Sequence, residues 1–167
     1  MSDVQNITPE ERGRMARAFF RDGYNCCQSI LLAFSDVIGL PDRQTATLGS
    51  GFGGGMGRLR EVCGAMSAMT FLSGIISPAA NPGNLGERTA NYALVQKFAE
   101  RFTKEHGSIV CREILHLRAD RKEPPVPSIR TEEWYTRRPC ERIIGDAARI
   151  IAEELQERNG LQPLKPQ

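Results

Sequence analysis

The sequence predicts an all-α fold, a helical bundle of about six helices carrying one glycine-rich loop. Three observations point there. Apolar residues in the periodic segments recur at spacings of three and four. A capping residue followed three places later by Glu or Gln precedes several of those segments. No segment shows the clear apolar–polar alternation of a half-buried strand.

Thr8-Pro9-Glu10-Glu11 opens the first helix, with Thr as cap, Pro in the first position and Glu in the third. Gly23 should close it, because glycine tolerates positive φ at a helix end. Asn25-Cys26-Cys27-Gln28 opens a second helix through the apolar run 30–34, to stop before Gly39-Leu40-Pro41. Asp42 can cap a short turn. Residues 62–76 form the longest uncharged apolar stretch and read as a buried helix, too short for a membrane span of about 20 residues. Asn84-Leu85-Gly86-Glu87 starts a helix with Leu94, Val95, Phe98 and Phe102 on one face, ending at Gly107. Ser108 caps a short helix through Cys111 to about Leu117. Residues 118–137, with prolines 124, 125 and 127, read as an exposed loop. Loops this long are often functional or mobile. Pro139 opens the last helix, with Ile144, Ala147, Ala148, Ile151 and Leu155 inward and Asn159-Gly160 at its end.

At 167 residues the chain reads as a single domain with its core at 8–158 and a frayed tail at 159–167. Its 22 basic residues nearly match its 20 acidic ones, which argues against nucleic acid as a partner. The first residues lack a basic and an apolar region, so no secretory signal is expected, and the protein is placed in the cytoplasm. In that compartment thiols stay reduced, and cysteine points to metal or redox chemistry or to plain packing.

Five cysteines are present, of which Cys26, Cys63, Cys111 and Cys140 are spread along the chain and Cys27 adjoins the first. No Cys-x-x-Cys occurs, so zinc-ribbon, thioredoxin and covalent c-type haem signatures are absent. What the four share is their place. By the caps above, Cys26 opens its helix and Cys140 follows Pro139. Cys111 is third after Ser108, and Cys63 lies early in the helix after the glycine loop. A helix start offers free N–H groups and positive partial charge, which favours thiolate. Arg58, Arg60, Arg137 and Arg138 lie near two of the cysteines and add positive charge. Four such ends meeting would hold a metal or an iron–sulfur cluster, or exchange disulfides. Without that convergence the cysteines are core filler. Cys27 points about 100° away from Cys26 and is assigned to the core.

Residues 49–57 contain six glycines in nine. Each costs roughly 0.5–1 kcal/mol more to order than alanine. An ordered loop of this kind therefore implies a use for its backbone. It could pass close to neighbouring helices, or aim the N–H groups of Gly53, Gly54 and Gly55 at an anionic cofactor. A flexible connector is the alternative. Met66 and Met69 are expected to fill the core. His106 and His116 are expected at the surface or at caps, with His116 a fallback ligand.

Gly23-Tyr24-Asn25-Cys26, the glycines 53–55, Glu61-Val62-Cys63-Gly64-Ala65 and the single cysteines at 111 and 140 together resemble the C-GCAxxG-C-C family of redox-active proteins. Val62, Gly64 and Ser67 depart from the letters of that name. The resemblance implies a small helical protein whose redox or metal chemistry rests on Cys26, Cys63, Cys111 and Cys140. Three functions stay open at this point: an electron-transfer protein with a cysteine-bound cluster or other thiolate-bound metal, a cofactor-free dithiol protein, and a helical interaction module with inert cysteines. A redox protein is the expected partner. A homodimer is expected from the small residues of the central helix, Gly64 and Ala68 among them.

Overall fold

The computed structural model describes residues 7–158. Within them lie nine α-helices and no strand. They are α1 (Pro9–Arg21), α2 (Cys26–Ala33), α3 (Ser35–Ile38), α4 (Asp42–Leu48), α5 (Gly64–Ile76), α6 (Leu85–His106), α7 (Cys111–Ile114), α8 (Glu132–Arg137) and α9 (Cys140–Glu157). The all-α expectation is met, with more and shorter helices than the periodicity implied. No helix among the described residues is long and apolar enough to cross a membrane.

Local chemistry explains most of the boundaries. Thr8 and Glu11 form the reciprocal capping box of α1, and Asn25 and Gln28 form that of α2. The second predicted helix breaks at Phe34, whose φ of −124° is not helical, and continues as α3. Asp42 is the first residue of α4 rather than its cap. The helix predicted from Val62 begins at Gly64, because Val62 and Cys63 are extended and pair with another segment. Ser108 does not cap α7. Its hydroxyl accepts from the N–H of Val110, and the helix runs only from Cys111 to Ile114. The segment 118–137 is not all loop, since α8 forms behind the Thr131 cap. The predicted end of α9 at Asn159-Gly160 lies outside the described residues.

Helix α1 packs along α9, and α2 sits at the centre against α1, α5 and α9. The α1–α9 approach is close: a Cβ on Gly13 would lie 2.9 Å from the carbonyl oxygen of Gly145. Phe20, Ile30, Leu31, Phe34, Met69, Leu72, Phe98, Phe102, Ile144 and Ile151 fill the core. Arg12 is buried yet satisfied. It donates twice to Asp36 at 2.7 Å and lies over the Phe34 ring, tying α1 to α3. The small residues of α5 are used inside the chain. Ala68 is fully buried, and a Cβ on Gly64 would meet the Phe52 carbonyl oxygen at 2.8 Å.

Candidate thiol cavity

A short helical turn at Ser50–Phe52 leads into the glycine segment. Five consecutive residues there adopt left-handed backbone: Gly54, Gly55, Met56, Gly57 and Arg58, with φ of 65°, 68°, 65°, 56° and 70°. Arg60 follows at 61°. The turn closes through N–H groups of Arg58, Arg60 and Glu61 donating to the carbonyls of Gly53, Gly54 and Gly55 at 3.1–3.2 Å. A left-handed turn costs a non-glycine residue about 1–2 kcal/mol, so the sequence supplies glycine at most positions of the run.

The chain leaves this turn extended. Cys63 donates its N–H to Ile109, while Cys111 and Arg112 donate theirs to Glu61 and Arg60. This antiparallel pairing, centred on Val62 and Val110, draws Cys63 and Cys111 to one place. Cys26, Cys111 and Cys140 are the first residues of α2, α7 and α9, and Cys63 is the residue before α5. All four line one cavity of about 330 Å³, together with Gly53, Gly54 and Gly55. Cys27 does not line it and is buried in the core.

Each of the three glycines has a structural reason. A Cβ on Gly53 would meet Asn25 Cβ at 2.7 Å, and one on Gly55 would meet Cys111 Cβ at 2.7 Å. Gly54 has left-handed backbone, and its N–H helps to lower the Cys26 thiol. Gly64 occupies the position where the family name carries alanine. Its contacts with Phe52 and Cys26 leave no room for a methyl group.

The thiols are not equivalent. A hydrogen bond from the Cys140 S–H is the largest influence on Cys26. Together with the charge of Arg130 and the Gly54 N–H, it outweighs burial and brings the Cys26 thiol down to about 7. Cys140 is correspondingly raised, as the donor to that sulfur and by burial. Burial, then the charge on Cys26, pushes Cys63 up to about 12. Burial raises Cys111 too, opposed by Arg60, whose Nη1 lies 3.8 Å from its sulfur. Among the described residues no three of these sulfurs lie within 4.8 Å of one another. A single tetrahedral ion with metal–sulfur bonds of about 2.3 Å would need them within about 4 Å. A cluster of several irons spreads its thiolates more widely than one ion does.

The remaining wall was only partly legible. Arg58, Arg60 and Arg138 line the cavity, as does Arg130, whereas Arg137 does not. The segment read as an exposed loop covers one side through Pro125, Pro127 and Ser128. It is held by Glu123, whose side chain is only 3% exposed and pairs with Arg60 and, at 2.8 Å, with Arg58. Arg130 anchors its far end by donating to the carbonyls of Phe20 and Tyr24 at 3.0 and 2.9 Å. Phe20 and Trp134 complete the apolar side. The three prolines were the only sequence signal for this cover. His106 was expected at a surface or cap, yet its side chain is fully buried. His116 is exposed, lies outside the cavity lining and carries a left-handed φ of 53°.

No curated protein and no solved structure matches the chain. A family model does match, over residues 24–154, a span that includes all four cavity cysteines. The chain belongs to the family described as "Putative redox-active protein (C_GCAxxG_C_C)".

Proposed function

We propose that this is an electron-transfer protein that holds an iron–sulfur cluster on Cys26, Cys63, Cys111 and Cys140. The observation that carries the proposal is the cavity wall. Four thiols are joined there by backbone N–H groups and four arginines, and among the described residues no carboxylate lines it. When bound, such a cluster supplies electron transfer at a potential tuned by hydrogen bonds and burial. The chain's own groups fit that role. The Gly54 N–H favours the Cys26 thiolate, and Arg60 opposes the burial that raises Cys111. Arg130 and Arg138 offset further negative charge. Phe20, Trp134, Pro125 and Pro127 give the cavity an apolar side. A redox protein is the expected partner. Anaerobically purified protein should carry iron and acid-labile sulfide in stoichiometric amounts and absorb in the visible. Protein that is colourless and iron-free after anaerobic reconstitution would defeat the proposal.

The Cys140-to-Cys26 hydrogen bond favours a second reading, a dithiol protein. There the Cys26 thiolate attacks an acceptor disulfide, and Cys140 resolves the mixed disulfide. The pair gives up two electrons and two protons, and the acceptor leaves as two thiols. In metal-free protein, alkylation of Cys26 should rise with pH through an inflection near 7. Cys27, pushed up to about 12 by burial and the neighbouring Cys26 charge, should stay unmodified. Cys140→Ala removes the donor and should move the Cys26 inflection upward, as measured by mass spectrometry after timed alkylation. An unmoved inflection would deny the pair its role.

A further inference from the structure

Where the last turn of α6 faces α9, a second group of side chains comes together. His106 is fully buried at its side chain, packs edge-on against Phe102, and neither ring nitrogen has a hydrogen-bond partner among the described residues. A buried polar group left unpaired is destabilising. Its Nε2 lies 3.8 Å from Asp146 Oδ2, too far for a hydrogen bond. Asp146 is itself loosely held, with Arg142 its next charged neighbour at 3.7 Å. Glu105 lies beside both, and ligand atoms of Glu105, His106 and Asp146 all fall within 4.8 Å of one another.

We propose that Glu105, His106 and Asp146 bind one divalent transition-metal ion, at a site separate from the thiol cavity. The protein ligands are one imidazole nitrogen and two carboxylate oxygens. Two ligands of one ion, each about 2.0–2.2 Å from it, sit somewhat closer than the His106–Asp146 gap, so a shift of a fraction of an ångström closes that pair, and rotation of the exposed Glu105 side chain brings in the third ligand. The ion gives the buried imidazole the partner it lacks. Three protein ligands leave positions for water, and the mixed nitrogen and oxygen set suits manganese, iron or zinc. The nearby arginines oppose the ion without blocking it. Arg149 donates to both oxygens of Glu105 at 3.0 and 2.9 Å, and also pairs with Glu153 at 2.7 Å. A carboxylate offers about four lone-pair positions, so Glu105 can serve Arg149 and the ion together. Arg142 is mostly exposed and free to swing away.

Mn²⁺ is the probe, because thiols take up zinc and iron but have little affinity for manganese. Mn²⁺ is titrated into the reduced full-length protein and followed by electron paramagnetic resonance. One equivalent should bind at micromolar free ion, with spin-echo modulation from an imidazole nitrogen. Asp146→Asn and Glu105→Gln, both at solvent-reaching positions, should weaken binding by more than about tenfold. His106→Gln should remove the nitrogen modulation. No bound ion at millimolar Mn²⁺, or equal affinity in wild type and Asp146→Asn, would overturn the site. Neither outcome bears on the thiol cavity, since Glu105, His106 and Asp146 do not line it.

Discussion

Replacing Cys63 by serine should strip the protein of iron while leaving its fold intact. The change is one atom at the residue before α5, beside the backbone N–H groups of Ala65 and Met66, which favour a sulfur or hydroxyl lone pair there. The hydroxyl is a harder and poorer partner for iron than a thiolate, so the proposed cluster would lose one of its four ligands. Iron and sulfide after anaerobic reconstitution should fall close to background, and the visible absorption with them. The thermal midpoint of the metal-free protein should move little. Cys27→Ser gives the opposite pattern. Cys27 is 1% exposed, lies outside the cavity lining and stays protonated. Iron content should be retained, with about 1–3 kcal/mol lost in stability from burying a hydroxyl in the core. A Cys63→Ser protein that reconstitutes fully would remove this cysteine from the ligand set.

Gly55→Ala should be among the most destabilising single-methyl additions in the chain. Two penalties combine. Alanine at φ of 68° is strained by about 1–2 kcal/mol. Its methyl would also fall 2.7 Å from Cys111 Cβ and 2.9 Å from the Glu61 nitrogen, an overpacking cost of about 1–3 kcal/mol. The expected loss is about 2–5 kcal/mol in denaturant unfolding, with a displaced Cys111. Gly57→Ala carries the backbone strain alone, since its nearest neighbour would be 3.9 Å away. Gly51→Ala meets nothing within 4 Å and has no positive φ, so it should be neutral or slightly stabilising. Equal stability of the Gly51 and Gly55 variants would contradict the left-handed turn.

The helices most legible in the sequence are those with caps. Thr8 with Glu11 and Asn25 with Gln28 are local devices, complete within four residues, so their effect survives translation into the fold. Ser108 failed as a cap for a non-local reason. The stretch beyond it pairs with residues 60–63, and its backbone is extended where a helix start was expected. For the same reason Cys63 precedes α5 instead of lying within it. Helix-start positions pointed to the cysteines, but only the fold brings them together. Glu123 was hidden because a carboxylate in a charged, proline-rich stretch reads as solvated; its burial requires Arg58 and Arg60 from a segment far away in sequence. His106 was hidden similarly, since a histidine next to a helix-ending glycine resembles a surface cap.

The cysteines that meet in the cavity come from α2, the start of α5, α7 and α9, so it is built from nearly the whole length of the chain. Cys26 and its hydrogen-bonding partner Cys140 stand near opposite ends. Bringing such distant residues together carries the loop-closure entropy of everything between them, and non-local contacts of this kind form slowly. During synthesis Cys26 leaves the ribosome long before α9 exists to face it. A chain that lacks α9 cannot present the thiol pocket, since it lacks Cys140. The four sulfurs face one another only where α2, α5, α7 and α9 have all docked.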